Sequence, residues 1–283
     1  MLFVGILVVL GAVISGFVLS GGDVHLLLQP YEVLVIVGAA IGSVLISTPM
    51  PMIKKLVAGV SASIKGFHVS KQDYLELLKS FNELFLVAQR DGLLSIESHI
   101  ENPKESTILS QNKKFINDNF IVDFFCDSMK VMLTGSVPPH DLEELMDSEI
   151  ETFEIESEPI AGTIATMGDA FPALGIVAAV LGIIITMGSI NEGPEVVGHH
   201  VAAALVGTFL GVLLAYGIVG PISVKMHHDI ADKKRHLETI KTAVLAYAKG
   251  NPPIIALEIA RRTIFSENRP TFNELENYLR GKS

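Results

Sequence analysis

Two prolines lie inside long apolar runs, where each would leave a backbone carbonyl oxygen free to interact with an ion. Pro172 lies three residues after Asp169, and Pro221 lies four residues before Lys225. A proline inside a helix removes one backbone hydrogen bond, frees a carbonyl oxygen and bends the helix. In a membrane this is tolerated where protein or water satisfies the freed oxygen. Because the residue counts put both prolines at about the same depth, they favour a constriction or a hinge in an ion path.

The apolar runs carry no acid at their centres. Glu32 and Asp169 lie only at the edges, and the deeper polar residues are Thr186, Thr208 and Tyr216. Proteins that carry protons or cations usually hold a carboxylate inside the membrane. If this chain conducts an ion, the carboxylate must therefore come from a partner.

Other chemistry is poorly supported by the residues. The sequence has no nucleotide-binding loop, paired-carboxylate geometry, nucleophile elbow or zinc-ligand spacing. The pairs His199–His200 and His227–His228 lack a second ligand cluster, so we interpret them as solvated or interfacial. Cys126 is the single cysteine, and no internal disulfide can form. We therefore predict that the chain is not an enzyme and holds no metal and no cofactor.

Four uncharged runs are long enough to cross a membrane as helices. They cover residues 1–20, 33–53, 170–191 and 201–224, and at about 1.5 Å per residue each reaches about 30 Å. Four such runs in a chain that is 49% hydrophobic favour spans over buried helices of a soluble protein. The first run lacks a basic start and exceeds the apolar part of a cleaved signal, so we interpret it as retained. We assign the spans to residues 1–20, 33–53, 166–191 and 201–224.

The basic residues predict the orientation. All 21 lysines and arginines fall within residues 54–165 or 225–283, whereas the connectors 21–32 and 192–200 hold none. The positive-inside rule then places both long polar regions and both termini in the cytoplasm, with the connectors as short periplasmic loops. The formal net charge of −10 argues against a nucleic-acid partner, whose phosphates would be repelled.

The polar regions have helical patterns. Residues 71–89 place apolar side chains at three- and four-residue spacing, which predicts one buried stripe on a helix that ends at Gly92. Residues 141–159 carry nine acids, which form either a solvated helix face or a surface for a basic partner. The predicted fold class is an all-α membrane protein with four transmembrane helices, a large helical cytoplasmic loop and a helical cytoplasmic C-terminal tail.

Small residues mark helix contacts in the last two spans. Gly182 lies ten residues after Pro172, and Gly211 lies ten residues before Pro221. Both glycines should therefore lie at one depth close to mid-membrane, about 15 Å from the level of the prolines. Gly207 and Gly211 form a small-xxx-small pattern that lets helices approach closely. We predict tight contacts here, either within the chain or between copies.

Several stretches together resemble the MotA family of flagellar motor stator subunits. They include GDAFPALGIVAAVLGI, HVAAALVGTFLGVLLAYGIVGPI and NPPIIALEIARRTIFSENRPTFNELE, and the likeness covers essentially the whole chain. The resemblance implies a subunit of the bacterial inner membrane, with five copies around two copies of MotB. MotB would supply the ion-binding aspartate, and ion flow would turn the pentamer against the rotor protein FliG.

The resemblance also implies roles for particular residues. Pro172 and Pro221 match the two functional prolines of the family, beside the MotB aspartate. For the rotor, Glu97 matches an acidic contact and Glu149 a further acidic position. The basic contact aligns with Gln89, one residue before the arginine of this chain, and we nevertheless assign it to Arg90. Each of these charges is equally consistent with an ordinary solvated surface.

The identity of the ion follows from two further matches. Sodium-type relatives carry a threonine where this chain has Ala179, whereas Thr208 matches a threonine of both types. A sodium ion needs several oxygen ligands, and alanine offers none in its side chain. We therefore predict protons as the conducted ion, in a path that also includes Tyr216. The alternatives are a sodium-driven stator, an energiser of the three-span ExbB or TolQ type, a stand-alone channel and an enzyme of lipid metabolism.

Overall fold

The structure is a computed structural model that describes residues 1–281, apart from the side chain of Lys65. All regular secondary structure in these residues is helical, which confirms the all-α prediction. In chain order the α-helices are α1 (Leu2–Leu19), α2 (Pro30–Ser47), α3 (Met50–Lys65), α4 (Lys71–Asp91), α5 (Glu97–Glu101), α6 (Lys113–Ile116), α7 (Asn119–Leu133), α8 (Pro139–Gly188), α9 (Pro194–Val212), α10 (Gly220–Ala248), α11 (Pro253–Arg261) and α12 (Phe272–Leu279).

Shorter helical elements join some of these helices. A π-helical segment, Leu213–Val219, connects α9 to α10. Turns of 3-10 helix cover Val24–Leu27, Leu93–Ile96, Leu109–Gln111 and Ile190–Glu192.

Four helical segments are long and apolar enough to cross a membrane. They are Leu2–Leu19, Val24–Ser47, Pro139–Gly188 and Pro194–Ala248. The predicted number of transmembrane helices is therefore confirmed.

The chain forms two compact units. The first, here called the span unit, consists of Met1–Gly66 and Ser157–Asp229. The second, here called the core unit, consists of Phe67–Glu156 and the chain from Ile230 onward. The four apolar segments have their hydrophobic parts in the span unit, whereas α4 to α7, α11 and α12 belong to the core unit.

The stretch predicted as one span at residues 33–53 is two helices. Helix α2 ends at Ser47, and Thr48 is extended, with φ −120° and ψ 126°. Pro49 follows with φ −60° and ψ 145°, and α3 begins at Met50. The residue before a proline is pushed away from helical geometry, and a proline near a helix start costs no hydrogen bond. Hydropathy alone did not indicate this break.

The stretch predicted as the last span changes its helical type. Helix α9 already begins at Pro194, and the π segment Leu213–Val219 follows it. A methyl group added at Gly220 would lie 2.9 Å from the carbonyl oxygen of Ala215. The widened turn ends next to Pro221, which lacks the N–H that a regular α-helix would need there.

The core unit packs as its sequence pattern predicts. Helix α4 starts with a capping box between Ser70 and Asp73 and ends at Gly92, whose φ is +90°. The rings of Phe81 and Phe125 are stacked, with centroids 4.4 Å apart and an interplanar angle of 10°. The apolar stripe predicted for α4 is buried, at Tyr74, Leu77, Leu78, Phe81, Leu84 and Phe85.

The acid-rich stretch at residues 141–159 is partly engaged within the chain. In the core unit, three acids of α8 pair with three lysines of α10 at 2.5–3.0 Å. The pairs are Glu143–Lys249, Asp147–Lys241 and Glu154–Lys234. These acids form an internal ion-pair ladder, so they are not available to a partner.

Candidate functional site

Helices α8 and α9 approach each other through glycine. A methyl group added at Gly175 would lie 2.8 Å from the carbonyl oxygen of Gly207 and 3.1 Å from the Cα of Gly211. One added at Gly211 would lie 2.5 Å from the carbonyl oxygen of Phe171. Contacts this short leave no room for a side chain. Gly207 and Gly211, which the sequence singled out for close packing, both lie in this contact.

The contact extends in both directions along the two helices. A methyl group at Gly182 would lie 2.7 Å from the Cβ of Ala204, and one at Gly168 would lie 3.6 Å from the amide nitrogen of Gly220. Gly168, Gly175 and Gly182 are seven residues apart, which keeps them on one helix face. We call this antiparallel contact the glycine seam. The seven-residue spacing was visible in the sequence and is the signal that could have revealed Gly168 and Gly175.

The register of the seam contradicts the expected depths. Gly182 lies against Ala204 rather than level with Gly211, which packs instead beside Phe171 and Gly175. The expectation that Gly182 and Gly211 share one depth is therefore wrong.

The two prolines are offset for the same reason. Pro172 follows Gly168 by four residues, whereas Pro221 directly follows Gly220, which lies beside Gly168. Since the helices are antiparallel, the prolines differ by about five residues, or about 7 Å in depth. The residue count had started from Asp169 and Lys225, but Lys225 bends its side chain to Asp229, with Nζ 2.7 Å from Oδ2. A long side chain of this kind does not mark the depth of its own Cα.

The two places where the backbone hydrogen bonding of the helices is interrupted nevertheless lie close together. In a regular helix the amide of residue 172 would bond to the carbonyl of Gly168, and proline cannot make that bond. Gly168 lies against Val219 and Gly220, at the end of the π segment and next to Pro221. Two weakened points of the helical backbone therefore meet at one level of the span unit.

The other residues predicted for the ion path are distributed along and beyond the seam. A methyl group at Gly207 would lie 3.2 Å from the amide nitrogen of Ala179, and one at Gly175 would lie 3.3 Å from the Cα of Thr208. Ala179 and Thr208 thus belong to one contact. Tyr216 lies on the π segment with 68% of its surface exposed and does not join them.

Three polar groups at the ends of the spans near the short connectors are buried. Thr186 is buried and donates a hydrogen bond to the carbonyl of Gly182 at 2.8 Å. Oε2 of Glu32 and Nδ1 of His200 are buried and have no hydrogen-bond partner among the described residues. The sequence counted Glu32 only as an edge residue, because burial of a single carboxyl oxygen leaves no sequence signal.

The predicted rotor residues all lie in the core unit. Arg90 lies in the last turn of α4 and pairs with Asp91 at 2.6 Å, while its side chain remains 77% exposed. Arg90 and Gln89 both line a shallow depression together with the exposed Leu86. Neither residue is buried, so the offset of the arginine by one position leaves it available to a partner.

The two predicted acidic contacts differ in burial. Glu97 is exposed at the start of α5 and lines a pocket of about 210 Å³ with Leu94, Glu101 and Lys130. Glu149 is half-buried on α8, and this burial, together with the nearby Asp123 and Asp127, raises the pKa of its carboxyl.

The histidines and the cysteine offer no metal chemistry. Across residues 1–281, no group of three His, Cys, Asp or Glu side chains could hold a metal ion. His227 instead pairs with Glu158 at 2.9 Å. Cys126 is buried, and that burial raises the pKa of its thiol to about 12, so the reactive thiolate is suppressed.

The fold and the glycine seam define a class: a four-span helical membrane subunit with a large helical unit between its second and third spans. Residues 3–92 match the family described as motility protein A N-terminal, and residues 116–239 match the MotA/TolQ/ExbB proton channel family. The chain is 36% identical to motility protein A of Escherichia coli (strain K12) over 99% of this chain and 95% of that protein. It is 35% identical to the chemotaxis protein LafT of Vibrio parahaemolyticus over 98% of this chain and 97% of that protein.

The chain belongs to the motility protein A family, within the MotA/TolQ/ExbB proton channel family. Its fold is similar to that of C. jejuni MotAB, with a TM-score of 0.80 at 21% identity over 95% of this chain and 98% of that chain. It is also similar to the flagellar MotAB stator complex of Bacillus subtilis, with a TM-score of 0.76 at 23% identity and 97% of both chains covered. Membership of this family makes the chain a membrane channel or energiser subunit and not an enzyme.

Proposed function

We propose that this chain is a stator subunit of the bacterial flagellar motor that conducts an ion together with a MotB partner. The observation that carries the proposal is the glycine seam in spans that hold no acid at their centres. Ion carriers usually need a carboxylate inside the membrane, so the conducting site is incomplete without a second chain. The relatives named motility protein A and the fold shared with MotAB structures support MotB as that chain.

We further infer that Pro172 and Pro221 form a hinge beside the aspartate of the partner. The freed Gly168 carbonyl and the end of the π segment lie together, and both weaken the helical ladder at that level. A helix interrupted at this point can bend as the partner's carboxylate gains and loses a proton.

The conducted ion is proposed to be a proton. Ala179 offers no side-chain oxygen in the contact that it shares with Thr208 through Gly175 and Gly207. A sodium ion would need several oxygen ligands at this point. Motility that requires sodium and stops with a sodium-channel blocker would overturn the assignment. No cofactor is needed for this function.

The proposed assembly is a pentamer around two MotB chains in the inner membrane. Ile176, Val180 and Ile184 on α8 are 57%, 52% and 62% exposed, so lipid or further helices must cover this face. Both termini, residues 54–165 and residues 225–283 are proposed to lie in the cytoplasm. The connectors 21–32 and 192–200 are then periplasmic.

Torque is proposed to pass to FliG through the exposed charges of the core unit. Arg90 and Glu97 are exposed and of opposite sign, and the half-buried Glu149 adds a weaker acidic contribution. Reversing the charge at Glu97 should weaken torque, and a complementary charge change on FliG should partly restore it. If no change on FliG restores torque, Glu97 is not the contact.

The ion-conducting role is tested by measuring proton leak into vesicles. Vesicles from cells that express this chain together with a MotB lacking any segment that plugs the channel should leak protons. Vesicles with the chain alone, or with a MotB that lacks the membrane aspartate, should not. Proton flux through the chain alone would contradict the proposal.

The hinge is tested separately. Replacing Pro172 or Pro221 by leucine should abolish rotation while the complex still assembles. Pro194→Ala is the matched control, because Pro194 lies in the first turn of α9, where its missing N–H costs little. Normal torque in either leucine variant would disprove the hinge.

The energiser alternative of the ExbB or TolQ type is less well supported. Those proteins have three spans, whereas this chain has four apolar segments of sufficient length. Its similarity to motility protein A also extends over 99% of the chain.

A further inference from the structure

A cavity lined by hydroxyl groups lies within the span unit between α2, the start of α3 and α8. Its volume is about 460 Å³. Five of the side chains that line it carry a hydroxyl group, namely Ser43, Ser47, Thr48, Thr163 and Thr166. Such a group of polar side chains is unusual in apolar segments. The cavity therefore differs in its chemistry from the glycine seam, which is made by glycine and alanine.

Three of the five hydroxyls are within hydrogen-bond reach of a carbonyl of their own helix. Thr163 Oγ1 donates to the carbonyl of Pro159 at 2.8 Å, and Thr166 Oγ1 donates to the carbonyl of Gly162 at 3.0 Å. Ser47 Oγ lies 3.4 Å from the carbonyl of Val44. A hydroxyl that has given its proton to a carbonyl presents only lone pairs to its other side. Thr163 and Thr166 therefore present hydrogen-bond acceptors to the cavity, and Ser47 Oγ also lies 3.4 Å from Thr48 Oγ1.

The chemistry of the lining determines which molecules or ions the cavity can hold. Among the residues that the structure describes, none of those lining the cavity has an ionisable side chain. Lone pairs without a fixed charge favour water and hydrated cations, and they disfavour anions. A cavity of this volume also exceeds the space that several water molecules need.

The cavity begins where the span ends. Thr48 directly follows the last residue of α2, and Pro159 lies seven residues before residue 166, where the predicted third span begins. Ala40 and Ala170 line the other end. At about 1.5 Å per residue, the cavity reaches about 10–15 Å from this end into the span unit. With the orientation proposed above, it opens on the cytoplasmic side.

We propose that this cavity is a water-filled, cation-attracting mouth through which the conducted ion reaches the cytoplasm. The inference rests on the proposed ion-conducting function and adds an exit that lies outside the glycine seam. The competing occupant is a lipid chain, because Ser and Thr also occur in lipid-facing helices when they bond to their own backbone. Water and lipid give opposite results with a water-soluble thiol reagent.

The first test is cysteine labelling in inside-out membrane vesicles. Ser47→Cys and Thr163→Cys are compared with Ile46→Cys, because the apolar side chain of Ile46 is 91% exposed and lies outside the cavity. The unmodified chain is the blank, because its single cysteine, Cys126, is buried. A cationic methanethiosulfonate should modify both cavity positions at least tenfold faster than Ile46→Cys. It should also react there several-fold faster than an anionic reagent of the same size.

Two results of the labelling would overturn the proposal. Equal rates at Ile46→Cys and the cavity positions would indicate that lipid fills the cavity. Faster reaction with the anionic reagent would contradict its attraction for cations. Thr166→Cys, one helical turn from Thr163, replaces Thr163→Cys if that variant fails to assemble.

The second test measures proton flux through the complex with its unplugged partner before and after labelling. Modification at Thr163→Cys should reduce flux by more than half, and the same treatment of Ile46→Cys should leave it unchanged. Labelling without any loss of flux would overturn the exit role while leaving the proposed ion-conducting function standing. Absence of flux in the unlabelled complex would instead overturn the proposed function and the exit role with it.

Discussion

The tightest contacts of the span unit are made by glycine, whereas those of the core unit are made by phenylalanine. In the span unit, the backbones of α8 and α9 meet at Gly175, Gly207 and Gly211 without an intervening side chain. In the core unit, Phe81 lies face to face with Phe125, its ring centroid 4.4 Å away. The two units belong to one chain, yet one helix contact depends on the smallest residue and the other on a large aromatic ring.

The solvent explains this difference. In water, burying a large apolar side chain removes much surface from the solvent and is strongly favourable. In a lipid bilayer the surroundings are already apolar, so helices gain from close van der Waals packing, which small residues permit. Large side chains therefore stabilise the core unit, whereas in the glycine seam they would keep the helices apart.

Charge follows the same division. The core unit holds the ladder of ion pairs between α8 and α10. In the span unit, by contrast, Lys225 and Asp229 pair beyond the apolar segments, with Ser63 Oγ donating to Asp229 Oδ2 at 3.2 Å. Partly exposed pairs are inexpensive in water, whereas an acid at the bilayer centre is costly.

The largest effect is expected from removing a ring of the core unit. Phe81→Ala should lower the free energy of unfolding by about 4 kcal/mol, because it leaves a cavity beside Phe115 and Phe125. Leu86→Ala on the same helix is the control, since Leu86 is 47% exposed. Thermal or denaturant unfolding of the purified protein measures both, and equal losses would show that α4 does not bury its aromatic face.

The second-largest expected effect is a loss of stability at low pH. His236 is buried against the rings of Phe67 and Tyr74, and this burial lowers the pKa of its imidazole to about 4. The unfolded chain takes up the proton near pH 6.5, so stability is lost as the pH falls from about 6.5 to about 4. The full loss is about 3 kcal/mol.

His236→Phe keeps a ring in place and cannot ionise, so it should remove this pH dependence. The exposed His140 provides the control, because His140→Phe should retain the dependence of the original chain. Melting curves between pH 7 and pH 4 make the comparison. A His236→Phe variant with an unchanged acid-induced loss would assign that loss to other groups.

A smaller loss is expected from adding one methyl group to the glycine seam. Gly211→Ala should destabilise the span unit by about 2 kcal/mol, because the methyl would lie 2.5 Å from the Phe171 carbonyl oxygen. Gly11→Ala in α1 should cause no loss, since nothing lies within 4 Å of its added methyl. Melting in detergent tests both variants. If Gly211→Ala is as stable as Gly11→Ala, the helices do not approach this closely.

The smallest expected effect is a gain in stability rather than a loss. Burial and the acids Asp123 and Asp127 raise the pKa of Glu149, so its ionised form is disfavoured in the folded protein. This cost is absent at pH values below the ordinary pKa of a glutamate and complete above the raised value. Glu149→Gln should therefore stabilise the protein at pH 7 by at most about 0.5 kcal/mol and have no effect in acid.

Glu144→Gln, at an exposed position of α8, is the matched control for Glu149→Gln and should be neutral. Melting temperatures at pH 7 and at pH 4 suffice for the comparison. Destabilisation by Glu149→Gln at pH 7 would mean that its carboxylate has a favourable partner.

The sequence by itself determined the four spans and the buried stripe of α4. Both are local properties: an uncharged apolar run has a length, and a helix face has a period of 3.6 residues. The absence of an acid from the span centres was equally visible, as was the likeness to the motility proteins. The break at Thr48 and the π segment Leu213–Val219 were not, because hydropathy is the same in either helical geometry.

Only the tertiary structure decided which residues meet. It placed Gly182 beside Ala204, offset Pro172 from Pro221 and gathered hydroxyls from α2 and α8 around one cavity. Register between helices depends on the shapes of both surfaces together, and counting from the nearest charge gives only the length along one helix. A flexible charged side chain such as Lys225 can reach water from several depths, so its position in the sequence cannot specify where its helix lies.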